Sequence, residues 1–95
     1  MGMKKANIKP GDKFPRAVKS ELIRAYNIHG PVLSLHEGYA VILEELDEAW
    51  DEIKKKTSKR DMKNLLKELI QVGAMAQKVA EDVIMPQLDI DKHND

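Results

Sequence analysis

Apolar residues recur at alternating intervals of four and three positions in the middle of the chain. They form a stripe that consists of Leu35, Tyr39, Ile42, Leu46, Ala49 and Ile53. This spacing is typical of the apolar face of an α-helix that packs on other helices. At the start of the stripe, Ser34 and Glu37 have the S-x-x-E spacing of a capping box, in which two side chains satisfy backbone N–H groups. The pattern therefore predicts a long helix from Ser34 to about Lys56.

A second and broader apolar stripe follows a short polar connection at residues 57–59. Ser58 stands three residues before Asp61 and is the predicted N-cap of a third helix, which Pro86 brings to an end. The stripe comprises Met62, Leu65, Leu66, Leu69, Val72, Gly73, Ala76, Val79, Ala80 and Val83. Its centre consists of small residues around Met75, and small residues allow another helix to approach closely.

A shorter amphipathic segment precedes both stripes. It extends from about Pro15 to Asn27, and one side of the predicted helix carries Val18, Leu22, Ala25 and Tyr26. Gly30 and Pro31 end this helix, because glycine and proline interrupt helices and the residue before a proline avoids the α region.

The three segments together predict an all-α fold. Two long helices joined by a short loop form an antiparallel hairpin, and the N-terminal helix is too short to cover the apolar surface of that hairpin. We therefore expect a homodimer or homotetramer, in which two hairpins complete a four-helix bundle. The predicted organisation is a flexible arm, one all-α domain and a polar tail, at residues 1–14, 15–86 and 87–95.

Composition narrows the classes of function. The chain has 95 residues, enough for one domain, and its 16 basic and 16 acidic residues give no net charge. That balance argues against binding to nucleic acid or to an anionic membrane surface. No apolar run approaches the ~20 residues that span a bilayer, no cysteine offers thiolate chemistry, and the N-terminal residues lack the apolar segment of a secretory signal. We expect a cytoplasmic protein.

Candidate chemistry is concentrated in the acidic run Glu44-Glu45-Leu46-Asp47-Glu48 of the second helix. Glu45 and Glu48 lie about one turn apart at the edge of the apolar stripe, and Glu52 extends this row. Glu68 borders the stripe of the third helix, so an antiparallel hairpin lets it face them. Carboxylates held together in this way repel unless a hard divalent cation joins them. Spacing alone also fits a solvated acidic face, and by itself it favours that interpretation.

The same residues resemble the motif of the MazG-like all-α nucleoside triphosphate pyrophosphohydrolases, which is E-E-x-x-E in one helix and E-x-x-D in the next. Residues 44–48 match the first part, and residues 67–71, Lys-Glu-Leu-Ile-Gln, fall where the second part belongs. The similarity covers about residues 35–83, and the string from His36 to Val72 also looks like small MazG-like proteins of phages and bacteria.

The resemblance implies both ligands and chemistry. Glu45, Glu48 and Glu68 would hold Mg²⁺ or Mn²⁺, with Glu45 and Glu48 in the catalytic role. The reaction would be hydrolysis of a nucleoside triphosphate to the monophosphate and pyrophosphate. The remaining family ligand, an aspartate, falls on Gln71, whose amide can coordinate a metal but brings no charge and cannot act as a base. Lys78 is a candidate for contact with the triphosphate, although its position alone favours an ordinary surface lysine.

The departure at Gln71 keeps two alternatives open. One is a non-catalytic relative that retains the bundle and serves as a nucleotide-binding or protein-interaction module. The other is a plain helical-hairpin oligomerisation domain, which would bind no metal. Glu45, Glu48 and Glu68, all present in register, favour the enzyme over both.

Overall fold

Three α-helices account for most of the fold. The computed structural model describes residues 8–92, and its helices are α1 (Lys13–His29), α2 (Leu35–Ile53) and α3 (Met62–Val79). The all-α prediction is confirmed, since residues 8–92 contain no strand. No helix in this part of the chain combines the length and the apolar character that a membrane crossing requires.

Contacts at both ends show that α2 and α3 lie antiparallel. Gly38, near the start of α2, lies against Val79 at the end of α3. At the opposite end of the hairpin, the Glu52 carboxylate accepts a hydrogen bond of 2.8 Å from the backbone N–H of Asp61. The connection between the two helices contains a single 3₁₀ turn, Thr57–Lys59. The hairpin therefore sets side chains from the middle of α2 opposite those from the first half of α3.

One predicted helix cap is confirmed and the other is wrong. Ser34 caps α2, since its hydroxyl accepts a 3.1 Å hydrogen bond from the N–H of Glu37. α3 is capped by Asp61, whose carboxylate accepts a 3.1 Å hydrogen bond from the N–H of Asn64, whereas Ser58 lies in the preceding 3₁₀ turn. Serine and aspartate are both good capping residues. Asp61 takes the role because its extended backbone leads the chain from the turn into the helix.

α2 also ends earlier than the sequence predicts. Its last residue is Ile53 rather than Lys56. Arg60, from the connection, donates its Nε–H to the Ile53 carbonyl at 2.8 Å. This hydrogen bond satisfies one of the carbonyl groups that a helix end leaves without an intrahelical partner, so the connection itself stabilises the shorter helix.

α1 packs on α3 and completes a small core. The buried cluster is drawn from these two helices and consists of Val18, Leu22, Ala25, Ala74 and Met75. Gly73 permits this close contact, because a Cβ atom at that position would lie 3.0 Å from Cγ2 of Val18. The small residues at the centre of the second stripe, on α3, do accept another helix, and that helix is α1.

The helical backbone continues beyond the predicted end at Pro86. α3 is followed by a π-helical turn, Ala80–Ile84, and then by a 3₁₀ turn, Met85–Leu88. Asp89 follows with a left-handed backbone, at φ 60°. Pro86 lies early in the 3₁₀ turn, where its missing N–H removes no bond that the turn needs.

The predicted arm at residues 1–14 and the predicted tail at residues 87–95 are described only in part. α1 already begins at Lys13. Residues 1–7 and 93–95 lie outside the described residues, so the flexibility predicted for the arm stays a prediction.

Replacing Gly38 with alanine is expected to lower the free energy of unfolding by about 1–2 kcal/mol, although alanine is the better helix former. The new Cβ would lie 2.5 Å from Cγ2 and 2.9 Å from Cγ1 of the buried Val79 side chain. Val79 is β-branched and has little rotamer freedom in a helix. Urea denaturation measures the change. Gly11→Ala, where nothing lies within 4 Å of the added atom, is the control, and equal stability of the two variants would contradict this account.

Candidate metal centre and adjoining cavity

Three carboxylates from two helices converge on one point. Glu45 and Glu48 extend from successive turns of α2, and Glu68 extends from the facing part of α3. One oxygen from each of the three lies within 4.8 Å of the other two. Glu68 is buried, Glu45 is half-buried and Glu48 is exposed, so the group lies at the boundary between the core and solvent. The structure brings the three together as the hairpin geometry predicts, while their service as metal ligands stays a prediction.

Two oxygens of the carboxylate group have no hydrogen-bond partner among the described residues. The Oε2 atoms of Glu45 and Glu68 are both buried, and neither has a hydrogen-bond partner in residues 8–92. Burial, together with the charges of Glu48 and Glu68, raises the pKa of Glu45 to about 7. Burial, followed by the interactions with Glu48, also raises the pKa of Glu68. Each shift reflects the cost of placing a further negative charge in this group.

The donor set fits a hard divalent cation. Three carboxylates supply only oxygen ligands, which suit Mg²⁺ and Mn²⁺, and the group includes neither the histidine nor the thiolate that favours zinc. The two buried oxygens without partners are the atoms that such an ion would satisfy.

A cavity of about 420 Å³ adjoins the carboxylates. It lies among α1, the loop that follows α1, α2 and α3, and Glu45 belongs to its wall as well as to the carboxylate group. Apolar side chains such as Val32, Val41 and Met75 form part of the wall. The charged side chains that line it are Glu21, Arg24, Glu37, Glu44, Glu45 and Lys78.

Gln71 also lines this cavity. It is half-buried and lies one helical turn after Glu68 on α3. Its amide therefore adjoins the same space as Glu45, but it adds no negative charge to the carboxylates. The ligand role that the resemblance implies for Gln71 stays a prediction.

Lys78 is not the surface lysine that its position in the sequence suggested. Its exposed fraction is only 4%, because α1 covers this part of α3. The Lys78 Nζ atom lies 5.1 Å from the centroid of the Tyr26 ring, and no carboxylate in residues 8–92 forms an ion pair with it. Arg24 differs, since its guanidinium donates two hydrogen bonds to Glu21, at 3.0 and 2.6 Å.

Glu52 does not extend the acidic row. Its side chain is buried and turns toward the helix connection, where it accepts hydrogen bonds from the Asp61 N–H at 2.8 Å, Lys55 at 3.1 Å and Asn64 at 3.3 Å. These hydrogen bonds, with the one from Asp61 first, hold the pKa of Glu52 below its usual value. Glu52 therefore links the end of α2 to the connection and to the start of α3, and its oxygens are already engaged in hydrogen bonds.

Sequence reasoning missed the pairing of Asp82 with Tyr26. The Tyr26 hydroxyl donates a hydrogen bond to one Asp82 oxygen, and the backbone N–H of Val32 donates to the other at 2.7 Å. The spacing of four residues between Lys78 and Asp82 was a signal that both share one side of α3 and its extension. The partners themselves come from α1 and the loop after it, more than 45 residues away, and no local pattern indicates them.

Without metal, the protein is expected to lose stability as the pH rises from about 4.5 to about 7, the usual and the raised pKa of Glu45. A carboxyl with a raised pKa holds its proton more tightly in the folded state, so its contribution is complete below pH 4.5 and is lost as the pH rises through the folded value. After a discount for partial exposure, the loss is about 1 kcal/mol. Denaturation in the presence of a chelator, at a series of pH values, measures it.

The control for this measurement is Glu45→Gln, which has no charge to develop at this position. The difference in free energy of unfolding between the native protein and this variant isolates the contribution of Glu45. A difference that stays constant between pH 4.5 and pH 7 would contradict the electrostatic account of the group.

The chain matches no protein-family model, no curated protein and no solved structure. The carboxylate group and the adjoining cavity are therefore the features of the molecule that bear on its function.

Proposed function

We propose that this chain is a MazG-like, metal-dependent nucleoside triphosphate pyrophosphohydrolase. The observation that supports the proposal most strongly is the convergence of Glu45, Glu48 and Glu68, with oxygens within 4.8 Å of one another, at the edge of a cavity. These are the residues that match the E-E-x-x-E and E-x-x-D motif. A nucleotide with its metal ion supplies the positive charge that the carboxylates lack and fills the adjoining space.

The roles of the residues follow from their placement. Glu45, Glu48 and Glu68 would hold Mg²⁺ or Mn²⁺, and when bound the ion supplies charge neutralisation at the phosphate oxygens and acidifies the attacking water. Glu45 or Glu48 accepts the proton of that water. The water oxygen forms a bond to the α-phosphorus, the bond from phosphorus to the bridging oxygen breaks, and pyrophosphate leaves. Gln71 leaves the site with three carboxylates, which favours one ion rather than two.

A second copy of the chain is the expected partner, as a homodimer or homotetramer. Large apolar side chains remain exposed along the hairpin, namely Leu35, Tyr39, Leu43, Leu46, Trp50 and Ile53 on α2 and Met62, Leu66 and Leu69 on α3. An apolar face of this extent is uncommon on a monomer. On α2 the exposed residues from Tyr39 onward alternate by four and three, the spacing of a helix in a four-helix bundle. A cytoplasmic location belongs to the same proposal.

Replacing Leu46 with glutamate is expected to convert the oligomer to a monomer, because it places a charge in the middle of the exposed apolar face. Sedimentation at micromolar concentration gives the result. Leu33→Glu is the control, since Leu33 is 80% exposed in the loop before α2 and lies outside this face. A native protein that sediments as a stable monomer would overturn the proposed oligomer.

The activity is tested by pyrophosphate release from a panel of ribo- and deoxynucleoside triphosphates with Mg²⁺ or Mn²⁺. The native protein is expected to release pyrophosphate from at least one nucleotide, and Glu48→Ala is expected to lower the rate by about 100-fold or more. Asp47→Ala is the matched control, because this neighbouring acid is exposed and does not belong to the carboxylate group. Equal rates for the two variants would contradict the assigned site.

A specific feature favours a second candidate, a non-catalytic nucleotide-binding or protein-interaction module. Gln71 stands where the family has an aspartate, and it removes one charge from the ligand set. Binding of metal and nucleotide without release of pyrophosphate would favour this candidate over the enzyme. Calorimetry that detects no binding of Mg²⁺ or Mn²⁺ would instead favour a plain oligomerisation domain.

A further inference from the structure

Lys78 is a buried cation without an anionic partner among the described residues. Its side chain is 4% exposed, lines the cavity beside the carboxylate group and forms none of the ion pairs present in residues 8–92. Burying an ammonium group is costly unless an opposite charge or hydrogen bonds compensate it. The face of the Tyr26 ring, 5.1 Å away, supplies only part of that compensation. An anion bound in the adjoining cavity would supply the remainder.

Tyr26 is itself held firmly in place. Its hydroxyl donates to the Asp82 carboxylate, which also accepts the Val32 N–H at 2.7 Å. Burial, and then the hydrogen bond to Asp82, raises the pKa of Tyr26, so the hydroxyl stays a donor. Asp82 belongs to the π-helical turn after α3, whereas Val32 belongs to the loop that walls the cavity. One carboxylate therefore joins three segments around the ring that faces Lys78.

The charges around the cavity specify the chemistry of its occupant. The Lys78 ammonium favours an anion, whereas the Oε2 atoms of Glu45 and Glu68, which have no partner in residues 8–92, favour a cation. Glu37 and Glu44 also line the space and repel a bare anion. A polyphosphate that carries its own divalent metal meets both requirements, because it presents the metal to the glutamates and a phosphate oxygen to the lysine.

We propose that Lys78 binds a phosphate group of a metal–polyphosphate ligand and that Tyr26 is the positioning residue, whose ring face holds the Lys78 ammonium at the cavity. The proposal rests on the proposed function for the nature of the ligand. It concerns binding alone, however, so a ligand that cannot be hydrolysed tests it whether or not the protein turns over nucleotides.

The test is calorimetric titration with methylenediphosphonate in the presence of Mg²⁺. Lys78→Met is expected to weaken binding by about 10-fold or more, the loss of a charge-assisted hydrogen bond. Tyr26→Leu is expected to weaken it by about 5-fold, since the cation–π contact is lost. Combining the two changes should weaken binding no further than Lys78→Met alone, because Tyr26 acts only through Lys78.

Two further variants separate positioning from general packing. Tyr26→Phe keeps the ring face and is expected to bind within about threefold of the native protein, because the cation–π contact is retained. Lys92→Met is the matched lysine control. The Lys92 Nζ atom lies 5.6 Å from the same ring centroid, but Lys92 is exposed and does not line this cavity, so native affinity is expected. Thermal melts confirm that each variant is folded.

Three results would overturn the proposal. If the native protein binds no methylenediphosphonate in the presence of Mg²⁺, the cavity contains no anion site. Additive effects of Tyr26→Leu and Lys78→Met would show that Tyr26 does not act through Lys78. A Tyr26→Phe variant as weak as Tyr26→Leu would place the effect in the hydroxyl group rather than in the ring face. None of these depends on pyrophosphate release, so failure of the hydrolase proposal is distinguished from failure of this one.

Discussion

If Glu68 is a metal ligand as proposed, replacing it with glutamine is expected to weaken binding of Mg²⁺ by about 100-fold, because a buried carboxylate becomes a neutral amide of the same shape. Glu68 is the most buried of the three carboxylates, and its Oε2 atom has no partner in residues 8–92. Without metal, the same change is expected to raise stability at pH 8, since it removes repulsion within the group. Calorimetry measures the affinity, and denaturation with a chelator measures the stability.

The opposite signs of these two effects make the test specific. A substitution that damaged the fold would lower both quantities. Asp47→Asn is the control, because it removes one nearby negative charge from an exposed side chain and should leave both nearly unchanged. Unaltered metal affinity in Glu68→Gln would contradict the assignment of Glu68 as a ligand, whatever the stability of the variant.

Replacing Glu52 with alanine is expected to lower the melting temperature by about 10 °C or more, because three donors lose the buried carboxylate that accepts their hydrogen bonds. Those donors are the N–H of Asp61, the Lys55 ammonium and the Asn64 amide. Lys55 and Asp61 belong to the residues that join α2 to α3, and Asn64 belongs to the first turn of α3. Thermal denaturation followed by circular dichroism measures the change.

Asp51→Ala is the matched control for Glu52→Ala. Asp51 is the preceding acid and pairs with Lys54 at 3.0 Å on the surface, where both side chains are more than half exposed. Exposed pairs of this kind contribute little, so the melting temperature should shift by no more than about 2 °C. Similar shifts in the two variants would contradict the structural role of Glu52.

Glu52 and Glu45 give the protein opposite responses to pH. The pKa of Glu52 is lowered from 4.5, so its contribution is complete above that value and is lost as the pH falls through the folded pKa. The pKa of Glu45 is raised, so its contribution is lost in the other direction, as the pH rises toward 7. The two glutamates are seven residues apart on α2, and the difference comes from what each one contacts.

The sequence predicted those features that depend on local spacing. The alternation by four and three indicated α2, and the capping box at Ser34 and Glu37 fixed its first residue. The convergence of Glu45, Glu48 and Glu68 also followed, because an antiparallel hairpin with a short connection leaves few ways to align the two helices. Residue spacing, capping chemistry and the geometry of a helical hairpin were sufficient to predict these three features.

The features that the sequence did not predict depend on contacts between distant segments. Glu52 has the spacing of a residue in the acidic row, but the helix connection and the first turn of α3 supply hydrogen-bond donors to it. Lys78 has the spacing of a surface lysine, but α1 crosses α3 and covers it. Ser58 and Asp61 are equally good caps in isolation, and the path of the connection selects Asp61.

The number of residues in the π-helical turn at Ala80–Ile84 affects the structure around the cavity. A turn bonded from residue i to i+5 holds one residue more than an α-helical turn, so it acts as a single-residue insertion within a continuous helix. The direction of the Asp82 side chain therefore depends on the number of residues in this turn as well as on which residues they are. A one-residue deletion in this turn would move the anchor of Tyr26 while every residue of α3 kept its place.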